Sequence, residues 1–212
     1  MSEIEGFILA GGASSRMGRD KARLELGGET FTARVARALG AVCGHVSVVG
    51  ARPAGAEAGL PVVPDIFARR GALGGLHAAL AAGRAPWAAV VSCDLPFVSG
   101  ELWTRLAALR AEEFAAVVPL QRDGRVQPLC ALYARAPCLG QVEEMLRAGE
   151  LRPRALLQRV PARLVAPEEL ADLTDADLLL MNVNTPADYR KARMRNETAE
   201  SRRQKAEGRR QF

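Results

Sequence analysis

The chain has 212 residues, enough for one domain with appendages rather than several domains. Hydrophobic residues make up 49% and charged residues 25%, which excludes wholesale disorder, a collagen-like repeat and a coiled-coil rod. The formal net charge of +5 sits in residues 191–212, which carry eight Lys/Arg against three Glu; the rest is neutral, which argues against a nucleic-acid partner.

Residues 1–190 are therefore expected to form the domain, and 191–212 a basic, disordered tail with too few apolar groups to offset its ordering entropy. The cysteines at 43, 93, 130 and 138 form no C-x-x-C pair, and His45 and His77 are the only histidines. A zinc site is not expected, and the cysteines read as small buried residues of a reducing compartment. The acidic start (Glu3, Glu5) is unlike a signal peptide, and no apolar stretch approaches the roughly 20 residues of a membrane span. A cytoplasmic protein without a membrane partner is expected.

Strands and helices alternate along the chain. Phe7–Ala10 is an apolar run entering Gly11-Gly12, as a buried strand does before a glycine loop. Phe31, Val35, Ala38, Leu39 and Val42 form a helical stripe over Thr30–Val42. Strands are expected at Val46–Val49, Leu60–Val63 and Trp87–Ser92, with a helix at Leu73–Ala82. Ser99 can cap a helix whose inner face is Leu102, Leu106 and Leu109. Ala115–Leu120 and Pro128–Tyr133 read as strands around a turn at Arg122-Asp123-Gly124. Gln141–Arg147 and Arg154–Gln158 read as helical, Leu178–Val183 as a late strand, and Pro186 as the first turn of a last helix. Repeated βα units imply an α/β, Rossmann-like three-layer domain with a mostly parallel, mixed sheet. Ligands in such sheets sit at the carboxyl ends of the strands. That rule selects Gly11-Gly12, Asp65, Asp94 and Asn182/Asn184.

The segment Leu9–Lys21, LAGGASSRMGRDK, holds three glycines, Arg16 and a lysine directly after the first strand. Glycine backbone N–H groups can converge on phosphate oxygens without side-chain obstruction. The chain has 26 Arg and three Lys, and Lys21 is the only lysine before residue 191. A lysine surviving where arginine is used elsewhere suits a compact phosphate clamp. Neither the P-loop nor the dinucleotide fingerprint fits this segment.

LAGG-x-x-x-R-M-G-x-D-K resembles the signature loop of nucleotidyltransferases that join an NTP to a phosphorylated acceptor, and among them the molybdenum cofactor guanylyltransferases. The resemblance implies a nucleotide-diphospho-sugar-transferase-like fold. It implies that Leu9, Ala10, Gly11 and Gly12 bind the nucleotide, that Lys21 contacts its phosphates and that Arg16 serves the triphosphate. Asp94, in Cys93-Asp94-Leu95-Pro96-Phe97, resembles the family's metal-binding element and would hold Mg²⁺. Hard oxygen ligands suit that ion. Asp65 matches a nucleotide-contacting aspartate, and Gly71–Leu76 (GALGGL) resembles a loop usually read G-P-L-x-G, with Ala72 in place of proline.

On the acceptor side, Arg125–Leu129 resembles the segment preceding the acceptor-facing strand, and Asn182–Tyr189 (NVNTPADY) resembles the C-terminal motif. Asn182 and Asn184, on one face of the expected strand, would hydrogen-bond the pterin or support the metal. The implied reaction transfers GMP from Mg·GTP to the terminal phosphate of molybdopterin (or molybdenum cofactor), forming molybdopterin guanine dinucleotide and pyrophosphate. Molybdoenzyme-maturation proteins are the expected downstream partners. The alternatives are a molybdopterin cytidylyltransferase or another NTP:acceptor nucleotidyltransferase, and a non-catalytic nucleotide-binding accessory module.

Overall fold

The computed structural model describes residues 3–10, 24–50, 59–67 and 70–208, with side chains described up to residue 199. Strand β1 (Ile4–Leu9) lies in the interior of a seven-stranded sheet. A short hairpin, β2 (Glu25–Leu26) and β3 (Glu29–Thr30), leads into helix α1 (Phe31–Leu39). The chain continues through β4 (Val46–Val49), β5 (Val62–Val63), α2 (Gly71–Ala82), β6 (Trp87–Ser92), α3 (Gly100–Ala108), β7 (Ala116–Pro119), β8 (Cys130–Ala134), α4 (Arg135–Arg147), β9 (Ala162–Val165) and α5 (Pro186–Gly208).

The sheet order is β5-β4-β1-β6-β8-β7-β9. All strands run in one direction except β8, which pairs antiparallel with both β6 and β7. The β7–β8 connection turns at Gly124, whose φ of +78° lies in the left-handed region that glycine adopts without strain. From β1 the chain winds outward to β4 and β5, then returns to add β6 on the opposite side of β1. The sheet therefore reverses its winding between β1 and β6, and their carboxyl ends flank the crevice where open α/β sheets bind ligands.

The strand period of two sends alternate residues to opposite faces. Ile4 and Ile8 of β1 and Ala89 and Val91 of β6 join Val35 and Leu39 of α1 and Leu102, Trp103 and Leu106 of α3 in one core. Phe7 and Leu9, with Ala88 and Val90, join Leu73, Leu76 and Leu80 of α2 and Val142 and Met145 of α4 in the other. Each such buried aliphatic side chain stabilises the fold by about 1.5–3 kcal/mol. The result is the expected three-layer α/β domain. Caps follow the sequence signals: Thr30 Oγ1 accepts from Ala33 N–H at 3.2 Å, and Ser99 Oγ accepts from Leu102 N–H at 3.2 Å.

Three expectations are corrected. Leu178–Val183 forms no strand; residues 171–180 are turns and 181–184 irregular, because Leu179 and Val183 are buried by packing rather than by pairing in the sheet. Gly71–Leu76 is the opening of α2, not a loop. The packed body also does not end at 190. Helix α5 continues through Gly208, and Ala192 and Asn196 are buried against the domain within the segment expected to be a disordered tail. A third small cluster explains this: Ala192 packs with Leu24, Leu26, Phe31 and Val183, flanked by Phe97 and Tyr189.

Candidate active site

Backbone hydrogen bonds tie the strand exits together along the carboxyl edge of the sheet. Gly50 N–H donates to Val63 carbonyl at 3.0 Å, Ala10 N–H to Val49 carbonyl at 3.0 Å, and Cys93 N–H to Leu9 carbonyl at 3.1 Å. Beyond β6, Val183 N–H donates to the Asp94 carbonyl at 2.8 Å, and Ser92 N–H to the Leu129 carbonyl at 2.9 Å. Leu9, Ala10, Asp94, Val183 and Leu129 thus share one rim at the β1/β6 crevice. Asn182 and Asn184 flank Val183 and are carried to the same place, by an irregular segment rather than by the expected strand. Gly11, Gly12, Arg16 and Lys21 lie outside the described residues.

Asp94 is half-buried, two residues past β6. Its main chain is fixed at the carbonyl by Val183, and Leu95 N–H closes a turn on the Ser92 carbonyl at 3.2 Å. Asp65, two residues past β5, accepts from Phe67 N–H at 3.1 Å through Oδ1, a local turn that orients its carboxylate. A Cβ on Gly74 would meet Phe67 carbonyl oxygen at 3.0 Å, Arg70 Cβ at 3.1 Å and Asp65 Oδ1 at 3.3 Å. Only glycine lets the first turns of α2 approach Asp65 this closely. Gly75 faces Leu9, where a Cβ would sit 3.4 Å from Cδ2.

Buried titratable groups of the domain narrow the chemistry. Burial pushes the Cys43 and Cys138 thiols up to about 12, and raises Cys130 and Tyr133 on β8 as well. These four are neutral at physiological pH and do not act as nucleophiles or bases there. His45 is exposed just before β4, at the amino edge. His77 is buried between α2 and α4, with Nε2 3.6 Å from Glu143 Oε1 and its ring edge-on to Phe67. The described rim therefore offers carboxylates, the Asn182 and Asn184 segment and backbone groups, with neither histidine on it.

The motif after Asn184 serves the fold as well. The Thr185 hydroxyl accepts from Asp188 N–H at 3.1 Å, and the Asp188 carboxylate accepts from Thr185 N–H at 2.9 Å and Asn184 N–H at 3.1 Å. The Thr185 hydroxyl also donates to the Asp188 carboxylate at 2.9 Å, and this bond first, with the two backbone N–H donors, holds the Asp188 carboxyl below the usual range. The reciprocal cap starts α5 at Pro186 and fixes the chain leaving Asn184. Tyr189 then donates from its hydroxyl to the Glu25 carbonyl at 2.8 Å, binding α5 to the hairpin.

Sequence reasoning missed Val183, whose contribution is a backbone N–H. It also missed Arg34 on α1, whose guanidinium donates to the carbonyls of Pro96 and Leu26 and to Asn196. No local pattern marks a side chain that works across elements this distant in sequence.

With this geometry in view, residues 6–164 match the MobA-like NTP transferase domain. The chain belongs to the MobA-like NTP transferase family. Like its family, it is a nucleotidyltransferase. It is 40% identical over 201 residues to a Pelotomaculum thermopropionicum protein named "Probable molybdenum cofactor guanylyltransferase", covering 94% of this chain and 96% of that one. It is 32% identical over 197 residues to the molybdenum cofactor guanylyltransferase of Desulfosudis oleivorans, covering 91% and 95%. Among solved structures, the molybdopterin-guanine dinucleotide biosynthesis protein A of Archaeoglobus fulgidus has the same fold, with TM-score 0.76 over 92% of this chain and 99% of that chain at 22% identity. The fold is thus that of the nucleotide-diphospho-sugar transferases, as the repeated βα pattern and the signature loop implied.

Proposed function

We propose that this MobA-like transferase moves GMP from Mg·GTP to the terminal phosphate of molybdopterin, forming molybdopterin guanine dinucleotide and pyrophosphate. The observation that carries the reading is the full-length likeness to guanylyltransferases, joined to a crevice where the matched motifs meet: Leu9-Ala10, Asp94 and the Asn182–Asn184 segment lie on one rim. A phosphate oxygen of the acceptor forms a new bond to the α-phosphorus of GTP. The bond from that phosphorus to the bridging oxygen breaks, and pyrophosphate leaves with the electron pair. The attacking oxygen is already anionic, so the reaction needs no general base, which agrees with a rim lacking histidine among the described residues.

The donor set fits Mg²⁺. Among the described residues no group of three or more His, Cys, Asp or Glu could hold a metal unaided. Mg²⁺ in nucleotide sites takes one or two carboxylates and completes its shell with phosphate oxygens and water. Asp94 would hold it, and the ion would neutralise charge on the triphosphate. In this reading Leu9, Ala10, Gly11, Gly12 and Asp65 bind the nucleotide, Lys21 and Arg16 its phosphates, and Asn182 and Asn184 the acceptor. The remaining catalytic contribution is positioning in the crevice.

No described helix is long and apolar enough to cross a membrane. All four cysteines are free and buried, which supports a reducing compartment, the cytoplasm.

A thermal-shift panel with Mg²⁺ and GTP, CTP or UTP tests the base preference. GTP should stabilise most; at a ligand concentration 100 times its Kd the gain is about 2.7 kcal/mol. Preferential stabilisation by CTP would move the protein to the cytidylyltransferase branch.

A further inference from the structure

The geometry points to Arg34 as a positioning residue of this site: it ties the loop carrying Asp94 to the β2–β3 hairpin and to α5, and so fixes where that carboxylate is presented at the end of β6. The inference rests on the nucleotidyl-transfer reading above. Arg34 lies in the first turn of α1 and is half-buried. Each part of its guanidinium has a different partner. Nε donates to the Pro96 carbonyl at 3.3 Å, Nη1 to the Leu26 carbonyl at 3.0 Å, and Nη2 to Asn196 Oδ1 at 3.0 Å.

Pro96 stands two residues after Asp94, so the loop is gripped at two main-chain carbonyls, Asp94 by Val183 and Pro96 by Arg34. Leu26 belongs to β2, the first element after residues 11–23. That hairpin is in turn fixed by Phe31 N–H to the Leu24 carbonyl at 2.8 Å and by the Tyr189 hydroxyl. Asn196 is buried on α5, beyond the residues 6–164 that match the family domain. One planar cation therefore holds the Asp94 loop, strand β2 and the C-terminal helix together. The fork geometry of arginine serves this purpose, and the three rotatable donors of a single lysine ammonium do not reproduce it.

The test compares Arg34→Ala, Arg34→Lys and Arg37→Ala with wild type. Arg37 lies on the same helix, is exposed and pairs with hairpin Glu29 at 2.8 Å rather than with the Asp94 loop. Two quantities are read: the kcat and KM for GTP in pyrophosphate release, and the half-saturating Mn²⁺ concentration in the presence of GTP, followed by electron paramagnetic resonance. A misplacement of about 1 Å in a phosphoryl-transfer site costs about 100-fold. Arg34→Ala should therefore lower kcat by about 10- to 100-fold with KM for GTP within about threefold, and raise the Mn²⁺ half-saturation about tenfold. Arg34→Lys, which keeps the charge and part of the hydrogen bonding, should fall between, and should serve if Arg34→Ala does not fold. Arg37→Ala should match wild type. A folded Arg34→Ala or Arg34→Lys with wild-type kcat and wild-type Mn²⁺ affinity overturns the assignment. So does an Arg37→Ala defect as large as that of Arg34→Ala, since the effect would then be general loosening of the hairpin. If wild type releases no pyrophosphate with molybdopterin, the functional reading fails by itself, and the Mn²⁺·GTP affinities still decide the role of Arg34.

Discussion

Asp94→Asn should reduce GTP-dependent pyrophosphate release by about 100- to 1000-fold, with the unfolding temperature close to that of wild type. Both halves of this expectation come from the same piece of structure. Two main-chain contacts help to fix residue 94 and its neighbour: Val183 N–H reaches the Asp94 carbonyl, and Leu95 N–H closes the turn on Ser92. Replacing one carboxylate oxygen by an amide nitrogen leaves those bonds in place and preserves the side-chain shape. What is lost is a negative charge at the point where β6 leaves the sheet beside β1. An amide neither neutralises nor anchors a divalent cation as a carboxylate does. The loss should appear in kcat and in the Mg²⁺ dependence together, with partial recovery at high Mg²⁺. Asp94→Asn turnover within threefold of wild type at ordinary Mg²⁺ would remove Asp94 from the metal role.

Lys21→Ala should have a comparable effect, about 100- to 1000-fold on kcat/KM for GTP. A triphosphate carries charge that must be offset before an anionic acceptor can approach it, and a fixed ammonium next to the leaving pyrophosphate offsets it without reorganisation. Lys21 is the only lysine in the first 190 residues of a chain that otherwise uses arginine for positive charge. Lys21→Arg is the informative companion. It conserves charge but replaces a compact group by a wide planar one, so recovery should be partial. Complete recovery would show that charge alone suffices there. An active Lys21→Ala would mean that Arg16 or the backbone of the glycine segment carries the phosphates.

Much of the architecture is legible in short apolar runs. Val46–Val49 and Trp87–Ser92 are read at their structural boundaries, since β-branched runs bounded by turn residues have few other outcomes in a βα chain. The same logic fails at Leu178–Val183. An apolar run reports burial, and a packed turn satisfies burial as well as a strand does; Leu179 and Val183 are buried without pairing. Helix α2 starts at Gly71, two residues before the expected Leu73, because glycine is a poor helix former and masks the first turn; Gly74, inside the expected helix, is required by the approach to Asp65. The seam of α5 was hidden for the opposite reason. Its buried residues past 190 are Ala192 and Asn196, one small and one polar, so no hydrophobic stripe marks them.

The candidate site divides in the same way. Asp65, Asp94 and the ends of β1 and β6 follow from one rule, that ligands gather at strand carboxyl ends. Arg34 follows from no rule of this kind. Its partners lie 8, 62 and 162 residues away, and its function is visible only once the strands, hairpin and last helix are assembled.

The central claim is that GTP and a pterin phosphate react in the β1/β6 crevice. The most direct measurement is to incubate the purified protein with Mg²⁺, authentic molybdopterin and each nucleoside triphosphate in turn, and to identify the pterin product by mass. Molybdopterin guanine dinucleotide is expected from GTP, with one pyrophosphate per product, and the Asp94→Asn protein should form it about 100- to 1000-fold more slowly. A cytosine dinucleotide, or nucleotide bound without any dinucleotide formed, would contradict that claim.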